Sequence, residues 1–133
     1  MAISKLSPIK STLSVAVDYI LNPLKTNNGM YTNSYACPLS GDLVEKEFFR
    51  VRSLGTGKGN VLAQHIKQSF KGNEVTPEEA MKLGMELADK LLGGKYQYVI
   101  ATHINTDNIH NHIIFNNISF ENYRSFEYLE NRG

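Results

Sequence analysis

Three of the chain's four histidines stand close together, at His103, His110 and His112, in the string Ala101-Thr-His-Ile-Asn-Thr-Asp-Asn-Ile-His-Asn-His-Ile-Ile-Phe-Asn116. On a β-strand, residues i and i+2 face the same side, so His110 and His112 present two imidazoles from one face while Asn111 points to the other. His103 ends the preceding apolar run, and a polar link, Asn105-Thr-Asp-Asn108, separates the two runs. If these runs pair antiparallel across the link, His103 reaches the same face. A lone histidine, or a His-x-His pair, is often just a structural residue with a satisfied hydrogen bond. Three imidazoles converging on an otherwise apolar hairpin are costly to bury without a common partner, and neutral imidazole is the commonest metal-binding side chain. The pattern therefore predicts a three-histidine metal site. Three protein ligands leave positions open for water or a phosphate oxygen, which lets an ion act as a Lewis acid.

The elements that must position these rings alternate along the chain. With 133 residues, 41% of them hydrophobic, one domain with one modest core is expected. A strand is predicted over Ala2 to Ile9, followed by a helix that Ser11 caps and that carries Leu13, Val17, Ile20 and Leu21 on one side until Asn22-Pro23 stops it. Lys25 to Gly29 reads as a turn. Met30 to Cys37 reads as a strand with Tyr31 and Tyr35 on one face, ended by Pro38. An amphipathic helix is predicted from Asp42 to about Leu54, then the turn Gly55-Thr-Gly-Lys-Gly59, then a strand from Val61 to Phe70. That turn lacks the spacing of a phosphate loop and precedes a strand, so a hairpin or flexible connection is expected instead.

Thr76-Pro77-Glu78-Glu79 is a helix start with a capping residue, a first-turn proline and a reach-back glutamate. Ala80, Leu83, Gly84, Leu87, Leu91 and Leu92 keep a helical period until Gly93-Gly94 closes it. The last two strands, Tyr96 to Thr102 with His103 at its end and Ile109 to Asn117, carry the histidines. The expected fold is α+β, a central antiparallel sheet of about five strands with helices packed on it.

Fourteen basic residues against thirteen acidic ones give a net charge of +1, so the total supplies no push towards nucleic acid. The single cysteine, Cys37, excludes an internal disulfide and any multi-cysteine metal site, and suits a reducing, cytoplasmic setting. The N-terminus lacks the long apolar run of a signal peptide, and no stretch approaches a membrane span.

Together with the histidine string, four further segments, Val17-Asp-Tyr-Ile-Leu-Asn-Pro-Leu-Lys-Thr26, Tyr35-Ala-Cys37, Val61-Leu-Ala-Gln-His-Ile-Lys-Gln-Ser-Phe70 and Val75-Thr-Pro-Glu-Glu-Ala80, make a set of motifs in a fixed order. In these the chain resembles the relaxases of plasmid mobilisation systems and conjugative transposons, of the His-hydrophobic-His nuclease fold, over nearly its whole length. The resemblance implies a site- and strand-specific DNA nuclease spanning residues 1–133 and shortened at its C-terminus. It implies that Tyr19 attacks a phosphodiester at an origin of transfer and becomes joined to the 5′ phosphate. His103, His110 and His112 would hold the metal, magnesium or manganese by this resemblance. His65 would stand near the scissile strand, with Gln68 and Ser69 helping to hold the sugar–phosphate backbone.

Without the family, Tyr19 on a partly apolar helix face would read as core or rim. A phenol with a reference pKa near ~10 needs a base, a metal ion or a more electrophilic phosphate before it can attack, and a metal on three histidines meets part of that need. Candidate phosphate contacts are Lys25, Arg50, Arg52, Lys58, Lys67 and Lys71, each with a solvated surface charge as the alternative. Tyr31 and Tyr35 are candidates for stacking on bases, and Tyr96 and Tyr98 for packing. Many relatives carry an aspartate two positions after the first metal histidine where this chain has Asn105; Asp107, two residues on, and Asn116 are the candidate groups behind the ligands. The implied partners are a single strand and hairpin at the origin, accessory relaxosome proteins and a coupling protein, with no membrane contact. The implied location is the bacterial cytoplasm, with passage into the recipient alongside the DNA. Two rival readings remain: another nuclease of the same fold, such as a replication initiator or single-strand transposase, and a non-catalytic DNA-binding module. In the first, the tyrosine helix usually follows the histidine pair, whereas Tyr19 precedes it here.

Overall fold

In the computed structural model, which describes residues 3–56, 59–72 and 74–127, the two histidine-bearing runs lie side by side in the middle of a sheet. The elements run β1 (Ile3–Ile9), α1 (Leu13–Ile20), β2 (Thr32–Tyr35), α2 (Gly41–Ser53), β3 (Ala63–Ser69), α3 (Pro77–Leu92), β4 (Tyr98–His103) and β5 (His110–Asn116). All five strands pair antiparallel in the order β1-β3-β5-β4-β2. The α+β expectation holds, with β2, β3 and β5 shorter at both ends than expected and β4 starting later, at Tyr98, and running one residue further, to His103.

Strand alternation divides the sheet into two faces. Val99, Ala101, Ile114 and Ala63 point to one side, where Leu13, Val17 and Ile20 of α1 and Val44 and Phe48 of α2 cover them. Ile66, Tyr98, Ile100, Ile113 and Phe115 point to the other, under Ala88 and Leu92 of α3. Covered on both sides, β4 is buried at every position, and the edge strand β1, which carries Pro8, is mostly exposed. Fully burying a side chain such as Phe48 or Phe115 contributes about 1.5–3 kcal/mol each.

Helix α1 does not start as expected. Its N-cap is Thr12, in a left-handed conformation at φ 51°, rather than Ser11, and it has no side-chain cap of its own. Instead Glu45 of α2 accepts the backbone N–H of Ser14 at 3.2 Å, and Asp18 of α1 accepts that of Gly41, the first residue of α2, at 2.9 Å. Each helix thus satisfies an orphan N–H of the other, with a carboxylate at the positive end of the helix dipole. This exchange fixes the rotation of α1 and so the direction of the next side chain, Tyr19.

Helix α3 begins as expected, with the Thr76 hydroxyl accepting the N–H of Glu79 at 3.1 Å and the Glu79 carboxylate accepting that of Thr76 at 2.9 Å. Its buried stripe is Ala80, Gly84, Ala88 and Leu92; Leu83, expected on that stripe, is exposed. Small residues at i, i+4 and i+8 let the helix lie close on the sheet. A Cβ built on Gly84 would stand 2.6 Å from Asn111 Nδ2 and 2.7 Å from Ile100 Cδ1. Gly84→Ala should therefore destabilise the fold by roughly 1–3 kcal/mol despite alanine's better helix propensity. Chemical denaturation would show it, and an unchanged or higher midpoint would refute the close approach.

Candidate metal centre

His103 ends β4 directly opposite His110, which starts β5, and His112 is two residues further along the same face. Ring centroids are 4.3 Å apart for His103 and His112, 5.0 Å for His110 and His112 and 5.2 Å for His103 and His110. One ligand atom from each lies within 4.8 Å of the others. The expected convergence of the three rings is realised.

The hydrogen bonds decide which nitrogens are available. His103 Nε2 lies 2.8 Å from the carbonyl oxygen of Ile20, and a carbonyl only accepts, so Nε2 carries the proton and Nδ1 is the lone pair. By the same logic His110 Nδ1 donates to the Asn108 carbonyl at 3.0 Å and leaves Nε2 as its lone pair. Metal-binding histidines are held in this way, with one ring nitrogen donating to a carbonyl or carboxylate and the other aimed at the ion. The donor set fits a single divalent ion, which imidazole nitrogens hold at about 2.1 Å. The fourth histidine, His65, joins the cluster through β3: its Nε2 lies 2.8 Å from His112 Nδ1.

Burial keeps these rings neutral. Desolvation, reinforced by neighbouring histidines and Lys67, depresses His112 to about 2, and desolvation depresses His103 to about 4 despite the opposing Ile20 carbonyl. His65 and His110 are lowered for the same first reason. The sign for stability follows directly. From the ordinary histidine value of 6.5 down to about 4, the unfolded chain takes up protons that folded His103 refuses, so stability present above that window is lost as pH falls through it. The thermal midpoint of the metal-free protein should drop by several degrees between about pH 7.5 and 5. A flat midpoint over that range would contradict the neutral cluster.

Tyr19 lies on the same face, its ring edge-on to His103 with centroids 6.2 Å apart and its side chain 55% exposed. Lys25, a candidate phosphate contact from sequence, sits on Tyr19 itself: Nζ donates to the hydroxyl at 3.0 Å and stands 4.1 Å from the ring centroid. That hydrogen bond and the ammonium charge lower the Tyr19 pKa from its usual value. The Lys25 carbonyl accepts the N–H of Ile104, the residue after His103, and this anchors the turn that places the lysine.

On the other side of the rings, an open cleft of about 590 Å³ is bordered by His110, Lys67, Ser69, Lys71 and Thr106. Lys67 and Ser69 therefore reach the histidine site. Gln68 does not. Alternation turns it to the opposite face, where its Oε1 accepts the amide of Asn111 at 2.9 Å beneath α3. Arg52 is also placed elsewhere, donating to the carbonyls of Val61 and Gly59 near the far end of β3, and Arg50 is paired with Glu47. Lys58 lies outside the described residues. Asn116 is fully buried six residues along β5 from His110, where its amide donates to Phe48 and Gln97, so it holds the core rather than a ligand. Asp107 is exposed in the link, and the His103 and His110 rings donate to the carbonyls of Ile20 and Asn108 instead. Tyr31 donates to Glu78 of α3 and Tyr35 stacks on Tyr98, which takes both away from the histidines. A larger recess, about 860 Å³ between Lys90, Lys95, Tyr96 and Arg124, lies beyond the other end of β4.

The sequence matches the family described as "Relaxase: MobA/VirD2-like, nuclease domain" over residues 19–132. It is 36% identical over 127 residues to a Protein rlx of Staphylococcus aureus, a match covering 95% of this chain and 36% of that protein. Another Protein rlx of Staphylococcus aureus is 32% identical over 127 residues, covering 96% of this chain and 38% of that protein. The Group II intron-interrupted relaxase LtrB of Lactococcus lactis subsp. cremoris (strain MG1363) is 38% identical over 81 residues, 60% of this chain and 14% of that protein. The chain thus spans little more than a third of the length of the staphylococcal relatives. Among the described residues, no helix is long and apolar enough to cross a membrane.

Proposed function

Because this chain belongs to the MobA/VirD2-like relaxase nuclease-domain family, we propose that it nicks one DNA strand at an origin of transfer, with Tyr19 as nucleophile, and so starts conjugative transfer. The observation that carries this reading is the placement of Tyr19: its hydroxyl is held by Lys25 beside the three-histidine cluster, on the one face of the sheet that also opens into a cationic cleft.

The step is a transesterification. The Tyr19 oxygen forms a bond to phosphorus, the bond from phosphorus to the 3′ oxygen breaks, the phenolic proton leaves, and the 3′ oxygen takes up a proton. The ester energy stays in the phosphotyrosine, so a 3′ hydroxyl can later reverse the reaction with no nucleotide cofactor. Lys25 favours the phenolate form of the nucleophile. An in-line displacement places the leaving oxygen opposite the attacking one. Tyr19 stands on the His103 side of the cluster and the cleft on the His110 side, so the leaving strand is assigned to Lys67, Ser69 and Lys71. A divalent ion on the three histidines would withdraw charge from the non-bridging phosphate oxygens. Of magnesium and manganese, all-imidazole ligation favours manganese. The substrate in this reading is a single strand beside a hairpin at the origin, met together with accessory relaxosome proteins and a coupling protein.

The test is incubation of the purified chain with a labelled single-stranded oligonucleotide carrying the origin of transfer of its own element, with manganese or with chelator. A protein–DNA adduct that survives denaturation and requires metal supports the reading. Binding of the oligonucleotide without cleavage in the presence of manganese would refute it.

A further inference from the structure

Among the described residues no carbonyl holds the ring of the third ligand, His112, and the geometry points to His65 for that task. We infer that His65 is a positioning residue that accepts the Nδ1–H of His112 and so keeps His112 in the tautomer whose Nε2 is free for a metal ion. The inference rests on the metal-centre reading above.

The two nitrogens, His65 Nε2 and His112 Nδ1, are 2.8 Å apart, a distance at which one proton lies between them. Two arrangements are open to a neutral pair. If His65 Nε2 carried the proton, His112 Nδ1 would accept it, and the remaining proton of His112 would sit on Nε2, leaving that ring no lone pair to offer. If His112 Nδ1 carries the proton, His112 Nε2 is a ligand, and His65 is the Nδ1–H tautomer. Only the second arrangement lets all three histidines ligate together.

The placement of His65 is specific. In the sheet register His65 lies opposite Ile114 and Lys67 opposite His112, so the two histidines are diagonal neighbours on one face, at the separation where long side chains meet across strands. His112 is 7% exposed in mid-strand, whereas His103 and His110 sit at strand ends, where the Ile20 and Asn108 carbonyls are available to them. Among the described residues no carboxylate takes over, since Asn105 and exposed Asp107 lie in the link. A neutral ring on β3 therefore fills the place that carbonyls fill for the other two.

Nuclear magnetic resonance of the metal-free protein labelled with 15N-histidine reads ring tautomers directly. The expected spectrum has the proton on Nδ1 of both His112 and His65; a wild-type His112 protonated at Nε2 would overturn the inference. His65→Gln, whose amide oxygen can accept the same proton, should keep the His112 tautomer and bind manganese within a few-fold of wild type. His65→Phe fills the space without an acceptor and should weaken calorimetric manganese binding by about 10–100-fold. Equal affinity for His65→Phe and wild type would also overturn it. Should His65→Phe fail to fold, the wild-type tautomer and His65→Gln still decide. A wild-type chain that binds no manganese would sink the metal-centre reading, and the tautomer spectrum would decide the His65 pairing by itself.

Discussion

Tyr19→Phe is expected to abolish the covalent protein–DNA adduct, lowering its rate of formation by a factor on the order of 10⁴–10⁶, as removal of a nucleophile does elsewhere. The substitution takes away one oxygen and little else. The ring keeps its edge contact with His103, and that histidine is held by the Ile20 carbonyl rather than by the tyrosine. Lys25 loses a partner, but the hydrogen bond between them is exposed and the ammonium returns to water, so the folding free energy should change by less than about 0.5 kcal/mol. Manganese affinity should be unchanged for the same reason. Gel analysis under denaturing conditions, run beside calorimetry on the same preparation, separates lost chemistry from lost structure. An adduct that persists would move the nucleophile to another residue, and the structure makes that search short. Among the described tyrosines, Tyr31 is bonded to Glu78, which raises its pKa, Tyr35 stacks on Tyr98, and Tyr96 packs edge-on against Phe115 and Phe126. Of the described tyrosines, Tyr19 is the one whose ring meets the histidine cluster, with Lys25 on its hydroxyl.

Why the cluster could be read in advance and its surroundings could not is a matter of distance along the chain. His110 and His112 share a face because a strand alternates, and His103 meets them because four polar residues between two apolar runs make a return link; both are local rules. The start of α3 was legible for the same reason, since Thr76, Pro77 and Glu79 satisfy one another. The cap of α1 was not. Its partner Glu45 is 31 residues away, and no periodicity in Ser11-Thr-Leu announces a carboxylate arriving from another helix. The contact of Lys25 with Tyr19 depends on a turn with Asn27 and Asn28 in left-handed conformations, which a sequence of polar residues permits without specifying. Gln68 is a different case, because its parity was available: it stands three residues from His65, and on one strand an odd separation puts two residues on opposite faces. The motif that suggested a shared role outweighed the alternation that denied it. Asn116 shares parity with His112 and was excluded only by distance, at the far end of β5, where Gln97 and the Phe48 carbonyl bind it.

His110→Ala is expected to weaken manganese binding by more than about 100-fold, beyond the loss seen when only a hydrogen-bond partner of a ligand is removed. Of the three histidines it is the cleanest to remove. His103 and His112 are buried, so truncating either opens the core, whereas His110 is half-exposed and its ring donates to a carbonyl in the exposed link. The fold should therefore survive. It should even become slightly less sensitive to acid, because one of the groups that depresses His112 and His103 is gone. The adduct assay then discriminates between two roles for the cluster. If the histidines hold an ion that the reaction uses, His110→Ala should form no adduct at manganese concentrations that saturate the wild type, and should recover part of its activity as manganese is raised, since two ligands remain to be occupied by mass action. If the histidines instead act as proton carriers or as core residues, added manganese would restore nothing, and chelator would leave the wild type active. Loss at low manganese with partial rescue at high manganese is the pattern that ties the three rings to one ion, and the absence of rescue would separate the histidine cluster from the chemistry assigned to it.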